Sequence, residues 1–134
     1  MIYAVIDTNV LVSALLASHA DSATVMVLNA VINGDIIPMY NKEILKEYEE
    51  VLSRKKFHFS KSLIKQYLKF FSNVGIASER VHSMEDLPDP KDVVFYEVAL
   101  SKEDAFLVTG NTKHFPKTPV VVTPAEMLRI LAGA

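Results

Sequence analysis

The chain has no cysteine among its 134 residues, which excludes disulfide bonds and thiolate metal sites together. It also lacks an apolar run approaching the about 18 residues that a membrane span requires. Met1-Ile2-Tyr3-Ala4-Val5-Ile6 carries no basic n-region and runs straight into an apolar segment, against a secretory signal. There is no large basic excess either. A net charge of -2 argues against a protein that coats nucleic acid through charge alone. No repeat, low-complexity tract or linker interrupts the chain. These absences favour one soluble domain over residues 1–134 in the cytoplasm of a prokaryote-like cell, long enough to bury about 68% of the surface its unfolded form exposes.

Half of the residues are hydrophobic and 22% are charged, and the charge is unevenly spread. Between Val51 and Ser78 there is no acidic residue, yet Arg54, Lys55, Lys56, Lys61, Lys65 and Lys69 all fall there.

Apolar patterning predicts alternating strands and helices. Ile2 to Ile6 reads as a strand covered on both faces, and Asn9 as the cap of a helix through Leu16. Asp21 or Ser22 caps a helix through Val25, Val27, Leu28, Val31 and Ile32, ended by Gly34. Asp35 to Tyr40 reads as a strand, with Pro38 suggesting a sheet edge. From Asn41, a helix places Ile44, Leu45, Tyr48, Val51 and Leu52 on one face. A helix from Ser60 to Phe71 buries Leu63, Ile64, Tyr67, Leu68 and Phe71, turns three lysines outward and ends before Gly75. A short strand and loop over 76–88 lead to a helix that opens at Asp89-Pro90-Lys91-Asp92 and runs through Leu100. Ala105 to Thr109 and Val120 to Val122 read as strands, and a last helix runs from Pro124 to near Gly133. Such alternation implies an α/β fold with a parallel sheet between helical layers.

In open parallel sheets the working crevice lies beyond the carboxyl ends of the strands, where Asp7 and Asn111 both fall. Each candidate has a competing structural role. Asp7 can serve as a turn residue or a charge at a helix start. Glu47 lies beside the buried stripe of its helix, with Glu43 and Glu50 as like-charged neighbours, and solvation alone can account for it. Asp92 can close a capping box with Asp89, and Asn111 can be a turn or cap. Glu97, on the turn after Asp92, is a further participant to consider. Read as a set, separated carboxylates at strand and helix ends suit Mg2+ or Mn2+, which prefer oxygen and retain water, whereas zinc is disfavoured without paired histidines. Such a cation can set a water against a phosphodiester and neutralise charge on the transferring phosphoryl group.

Val5-Ile6-Asp7-Thr8-Asn9-Val10-Leu11, Glu43-Ile44-Leu45-Lys46-Glu47-Tyr48, Asp89-Pro90-Lys91-Asp92 and Leu107-Val108-Thr109-Gly110-Asn111-Thr112-Lys113-His114-Phe115-Pro116, in that order, resemble the PIN-domain family. They look most like the toxin branch of bacterial toxin-antitoxin PIN proteins. The resemblance implies a three-layer α/β/α domain with a mainly parallel five-stranded sheet and a Mg2+- or Mn2+-dependent endoribonuclease acting on single-stranded RNA. It implies Asp7, Glu47 and Asp92 as the metal-binding acids and Asn111 as the fourth catalytic position, where the wider family often carries Asp. An amide there keeps an oxygen donor and loses the negative charge. Thr8 and Asn9 match positions that orient Asp7 or a water. A protein antitoxin and a homodimer are further expectations of the resemblance.

Lys113 and His114 could meet a phosphate near Asn111, or simply belong to a solvated loop. The Lys61, Lys65, Lys69 ridge with Arg54, Lys55, Lys56, Phe57 and Phe59 could track RNA, but a lysine row opposite a buried stripe is more simply the wet face of a helix. Two other function classes compete. An aspartyl-nucleophile phosphatase would use Asp7, although Asn9 stands where such enzymes carry a second Asp. An RNA-binding or scaffold domain with weakened catalysis is motivated by Asn111.

Overall fold

Ala4, Val5 and Ile6 of strand β1 (Ile2–Ile6) are buried in succession. Successive strand residues point to opposite faces, so this run needs cover on both sides of the sheet. In the computed structural model, which describes residues 1–133, helices provide that cover. β1 leads into helices α1 (Thr8–Leu16) and α2 (Ala23–Ile32), then strand β2 (Ile36–Tyr40). Helices α3 (Lys42–Leu52) and α4 (Lys61–Val74) precede the two-residue strand β3 (Ile76–Ala77). Helix α5 (Pro90–Leu100), strands β4 (Phe106–Val108) and β5 (Val121–Val122), and helix α6 (Pro124–Gly133) complete the described chain. The five strands are all parallel, in the order β3-β2-β1-β4-β5. This is the α/β/α architecture expected from the alternating pattern. None of these helices is long and apolar enough to cross a membrane.

Local chemistry explains most boundaries. The side chains of Ser22, Asn41, Ser60 and Asp89 each accept a backbone N–H in the first turn of α2, α3, α4 and α5, as capping requires. At α6, Thr123 and Glu126 form a reciprocal capping box: the Glu126 N–H donates to the Thr123 hydroxyl at 3.1 Å, and the Thr123 N–H to the Glu126 carboxylate at 2.9 Å. In α3, Ile44, Tyr48, Val51 and Leu52 are buried as their spacing predicts. In α4 only Ile64 and Phe71 are fully buried; Leu63, Tyr67 and Leu68 are half-buried.

Two expectations are corrected. Asn9 does not cap α1, because the helix starts at Thr8 and the cap position belongs to Asp7. Nor does Pro38 mark a sheet edge, for β2 lies between β1 and β3. The Pro38 carbonyl points at Gly75, so close that a Cβ on Gly75 would lie 2.4 Å from that oxygen. A strand residue directs its nitrogen and carbonyl to the same side, so the missing donor of Pro38 falls on the β3 side, just ahead of the first paired residue, Ile76. The β1–β2 ladder is left intact.

The sheet places β1 beside β4, with the chain after β1 moving one way, to β2, and the chain after β4 moving the other way, to β5. That boundary is the switch point at which a parallel sheet opens a crevice beyond its strand ends.

Candidate functional site

Asp7 and Thr109 are the first residues past β1 and β4, and the register that pairs Ile6 with Val108 makes them neighbours. The Asp7 N–H donates to the Val108 carbonyl at 2.9 Å, and the Thr109 N–H to the Val122 carbonyl at 2.9 Å. Both side chains are buried, Asp7 to 6% exposure and Thr109 to 0%. The Thr109 hydroxyl donates to Asp7 Oδ2 at 2.7 Å and accepts the Asn111 N–H at 3.0 Å. Asn9 uses both ends of its amide, donating to Asp7 Oδ2 at 3.1 Å and accepting the Gly110 N–H at 3.1 Å. Instead of capping α1, Asn9 ties the turn after β1 to the turn after β4.

Beneath Asp7, the Tyr48 hydroxyl donates to the Ile6 carbonyl. Tyr48 packs edge-on against Phe71, ring centres 5.7 Å apart, and against Phe95 at 6.2 Å. Burial, with Asp7 nearby, pushes its hydroxyl well above the ordinary tyrosine value, so it remains a donor at any physiological pH. Tyr48 is the next residue after Glu47, so one hydrogen bond fixes the helix carrying the second acid against the strand that carries the first.

Asp92 sits in the first turn of α5, where Asp89 accepts the Lys91 N–H at 2.9 Å. The predicted capping box does not close: the Asp92 carboxylate makes no hydrogen bond back to Asp89 among the described residues. Among the described residues its basic neighbour is His114 Nδ1, 3.7 Å away.

Asp7, Glu47, Asp92 and Asn111 line one open cleft of about 400 Å3, with Asp89, Arg54 and His114 on its walls. Burial raises the pKa of Asp7 even though Thr109, Thr8, Asn9 and His114 all favour its charged form. Asp92 is pushed up to about 6, by burial first and then by the charges of Asp7, Asp89 and Glu47, against the opposing effect of His114. Asp7, Asp89 and Glu47 therefore raise the cost of ionising Asp92, and the donors around Asp7 do not offset its burial. An added positive charge would.

Among the described residues no three His, Asp or Glu side chains come close enough together to hold a metal ion by themselves. Oxygen donors of the kind that line the cleft would suit a hard cation such as Mg2+, which dehydrates reluctantly and takes one or two carboxylates alongside its waters. The Thr8 hydroxyl, buried at the cleft wall without a partner among the described residues, is a further oxygen that a cation's water would meet. By the same reasoning the set does not suit zinc.

Other side chains fall elsewhere. Glu97 does not join the cleft. Arg80 Nε donates to its Oε1 at 2.8 Å and the Ser83 N–H to its Oε2 at 2.7 Å, so it ties the loop after β3 to α5. Lys113 lines a cavity of about 510 Å3 on the far side of the Thr112–His114 turn. Lys61 and Lys65 border a shallow groove with Glu49 and Ser53, away from the acids. Thr109 and Tyr48 were not predicted as site residues. Thr109 was legible as a hydroxyl at the end of a strand, but its partner depends on β1 and β4 being adjacent. The Tyr48 hydroxyl lies on a stripe whose apolar pattern accounts for burial and hides its polar end. Arg54 and Phe57, set aside with the lysine ridge, prove to line the cleft.

A search of curated proteins finds no match to the chain. A family model described as PIN domain matches residues 3–113.

Proposed function

The chain belongs to the PIN-domain family, whose members are generally nucleases, and from that premise we propose that it is a Mg2+- or Mn2+-dependent endoribonuclease acting on single-stranded RNA. The observation that carries the reading is the meeting of Asp7, Glu47, Asp92 and Asn111, from four separate segments, in one cleft where the pKa values of Asp7 and Asp92 are raised. Asp7 and Asp92 would hold the cation most directly, with Glu47 acting directly or through water and Asn111 offering its carbonyl oxygen to a water. A divalent cation bound there supplies positive charge against the phosphodiester oxygens and makes water a better nucleophile.

The chain's own groups set the geometry. Thr109 and Asn9 hold Asp7 Oδ2 from two sides. Tyr48 holds the Glu47 helix against β1. His114, close to Asp92, favours its charged form and stands on the wall of the cleft that a phosphodiester would enter. None of the four candidate side chains is an activated nucleophile, so water is the attacking group.

The test is cleavage of single-stranded RNA by the purified chain with Mg2+, Mn2+ or chelator, comparing wild type with Asp7→Asn. Cleavage should require the cation and Asp7. Activity indifferent to both would remove the mechanism. A second reading, RNA binding with weakened cleavage, draws on the exposed Asn111 amide, which leaves the fourth position uncharged. Retained RNA affinity without turnover, with turnover restored by Asn111→Asp, would favour it. A toxin role, with a protein antitoxin over the cleft and a homodimer as the working unit, extends the proposal on the strength of the resemblance. Growth arrest on expression, abolished by Asp7→Asn, tests the toxin role.

A further inference from the structure

We propose that Phe57 and Arg54 form a nucleobase subsite at the lip of the acid cleft, where an unpaired base of the substrate strand stacks on the Phe57 ring and Arg54 meets an adjacent phosphate. The inference rests on the reading that the cleft takes a polynucleotide, and it names how the strand is held beside the acids.

Phe57 ends the short Lys55–Phe57 turn that follows α3, and both Phe57 and Arg54 line the cleft. The ordinary explanation for a half-buried phenylalanine is that it anchors its loop to the core. Here Phe59 has that role, packing against the core cluster, whereas Phe57 is absent from the set of side chains packed there. Phe57 instead lies nearly parallel to Phe59, ring centres 5.8 Å apart at 21°, so the core-anchored ring supports one that faces the cleft. The turn closes on His58, whose backbone is left-handed at φ 58° and whose N–H donates to the Lys55 carbonyl at 3.1 Å.

The charges around the ring have the sign a phosphate requires. Arg54 is exposed and makes no ion pair among the described residues. The Lys56 ammonium lies 5.1 Å from the Phe57 ring centre, a contact that a stacking base can replace while the ammonium turns to the next phosphate. The stretch from Val51 to Ser78 contains no acid of its own, and the acids that share the cleft with Arg54 come from other elements.

The acid cleft itself explains the need. Asp7, Glu47, Asp89 and Asp92 repel a phosphodiester until a cation intervenes, so affinity for the strand has to come from its flanks. Base stacking supplies affinity that does not depend on charge, and every base has a π-face, so the subsite tolerates many sequences. Bases inside a duplex are already stacked on their neighbours and cannot use the ring, which favours unpaired strands.

The chain contains no tryptophan, so Phe57→Trp introduces a single indole as reporter at the subsite. With the full chain in chelator, a short oligouridine should quench that fluorescence saturably, and an abasic phosphodiester strand of equal length should bind about fivefold more weakly or worse. Phe57→Ala should weaken oligouridine binding about tenfold and raise KM more than it lowers kcat, while Phe57→Tyr should stay near wild type. Circular dichroism identifies any variant that has lost its fold, and the Phe57→Trp measurement stands independently of Phe57→Ala. Equal affinity for abasic and base-containing strands, or a folded Phe57→Ala with unchanged affinity, overturns the subsite. The nuclease reading fails separately: cleavage that survives Asp7→Asn would remove it, while base-dependent quenching in chelator would still support the subsite.

Discussion

Helix α5 carries one acid in each of two charged clusters, Asp92 in its first turn and Glu97 in its buried second half, and they are balanced in opposite ways. Toward the C-terminal end, Glu97 is 5% exposed, yet its pKa is lowered. Burial alone would raise it, but the Ser83 N–H and the Arg80 guanidinium outweigh that. Arg80 spans to Glu43 as well, at 3.0 Å, and these partners raise its own pKa despite partial burial. At the N-terminal end, Asp92 shares the cleft with Asp7 and Glu47 and finds only a histidine at 3.7 Å. Where the protein supplies the cation, the carboxylate is structural and its charge is cheap. Where Asp7 and Asp92 meet without a strong internal partner, the protein supplies no counter-charge of its own, a situation that protonation or a bound divalent ion would relieve.

The sharpest way to break this comparison is to neutralise one acid in each cluster and read activity and stability together. Asp7→Asn should lower cleavage about a thousandfold or more, equivalent to roughly 4 kcal/mol of transition-state stabilisation. The same change should leave the chelated protein as stable as wild type or about 1 kcal/mol more stable, because a buried, unbalanced charge disappears. Steady-state kinetics and thermal melts in chelator measure the two halves. A variant that lost stability in proportion to activity would make Asp7 a structural acid.

Glu97→Gln should do the reverse. It keeps the side chain's shape and removes the charge that satisfies Arg80 and the Ser83 N–H, at a cost of about 1–3 kcal/mol. The low end is favoured because Arg80 is 35% exposed. Urea denaturation gives the number, and cleavage per folded molecule should change little. A loss of turnover with unchanged stability would transfer Glu97 to the catalytic group.

The clusters should also differ in pH dependence, and the signs follow from the direction of each shift. Asp92 has a folded pKa of about 6 against an ordinary 3.8, so its contribution to stability is fully present below 3.8 and is lost as pH rises through 6. Glu97 is shifted down from 4.5, so its contribution is present above 4.5 and lost as pH falls through its lower folded value. In chelator, Asp92→Asn should therefore gain on wild type between pH 4 and 7 by roughly 1–2 kcal/mol, after allowance for solvent screening. Added Mg2+ or Mn2+ should stabilise wild type above pH 6 and progressively less below it. A wild-type-minus-variant difference that stays flat across this window would mean that Asp92 is not held among uncompensated charges.

How much of this was legible in sequence follows from which interactions are local. Asp7 was legible because an apolar strand stops there, and Glu47 because the stripe of α3 fixes its facing. The resemblance joined them to Asp92 and Asn111, and the sheet order brings all four to one cleft. The capping-box reading of Asp92 failed for a reason of length. Aspartate is one methylene shorter than the glutamate that closes the motif, and the box forms instead at Thr123 and Glu126. Asn9 was misjudged because Asp7, Thr8 and Asn9 can all cap a helix, and only the adjacency of β1 and β4 shows that its amide is engaged with Gly110 and Asp7. Arg80 was invisible for a similar reason. Its partners lie 17 and 37 residues away, and a loop arginine has no local pattern that names them.

The smallest expected effect tests whether the imbalance at the cleft is graded. Asn111 is exposed, and its side chain makes no hydrogen bond among the described residues, so Asn111→Asp adds a charge that water largely screens. In chelator it should cost no more than about 0.5 kcal/mol. It should nevertheless raise the Asp92 pKa further and strengthen Mn2+ binding about threefold to tenfold, since a cation in the cleft would gain one more carboxylate within reach. Mn2+ titration by calorimetry, paired with chelated melts, separates these quantities. If affinity does not move, the Asn111 side chain lies outside the cation's reach and only Asp7, Glu47 and Asp92 set the field. If affinity rises while cleavage also rises, the amide at this position is what limits the present chain, and the two ends of α5 differ by an amount that one side chain at the end of β4 can tune.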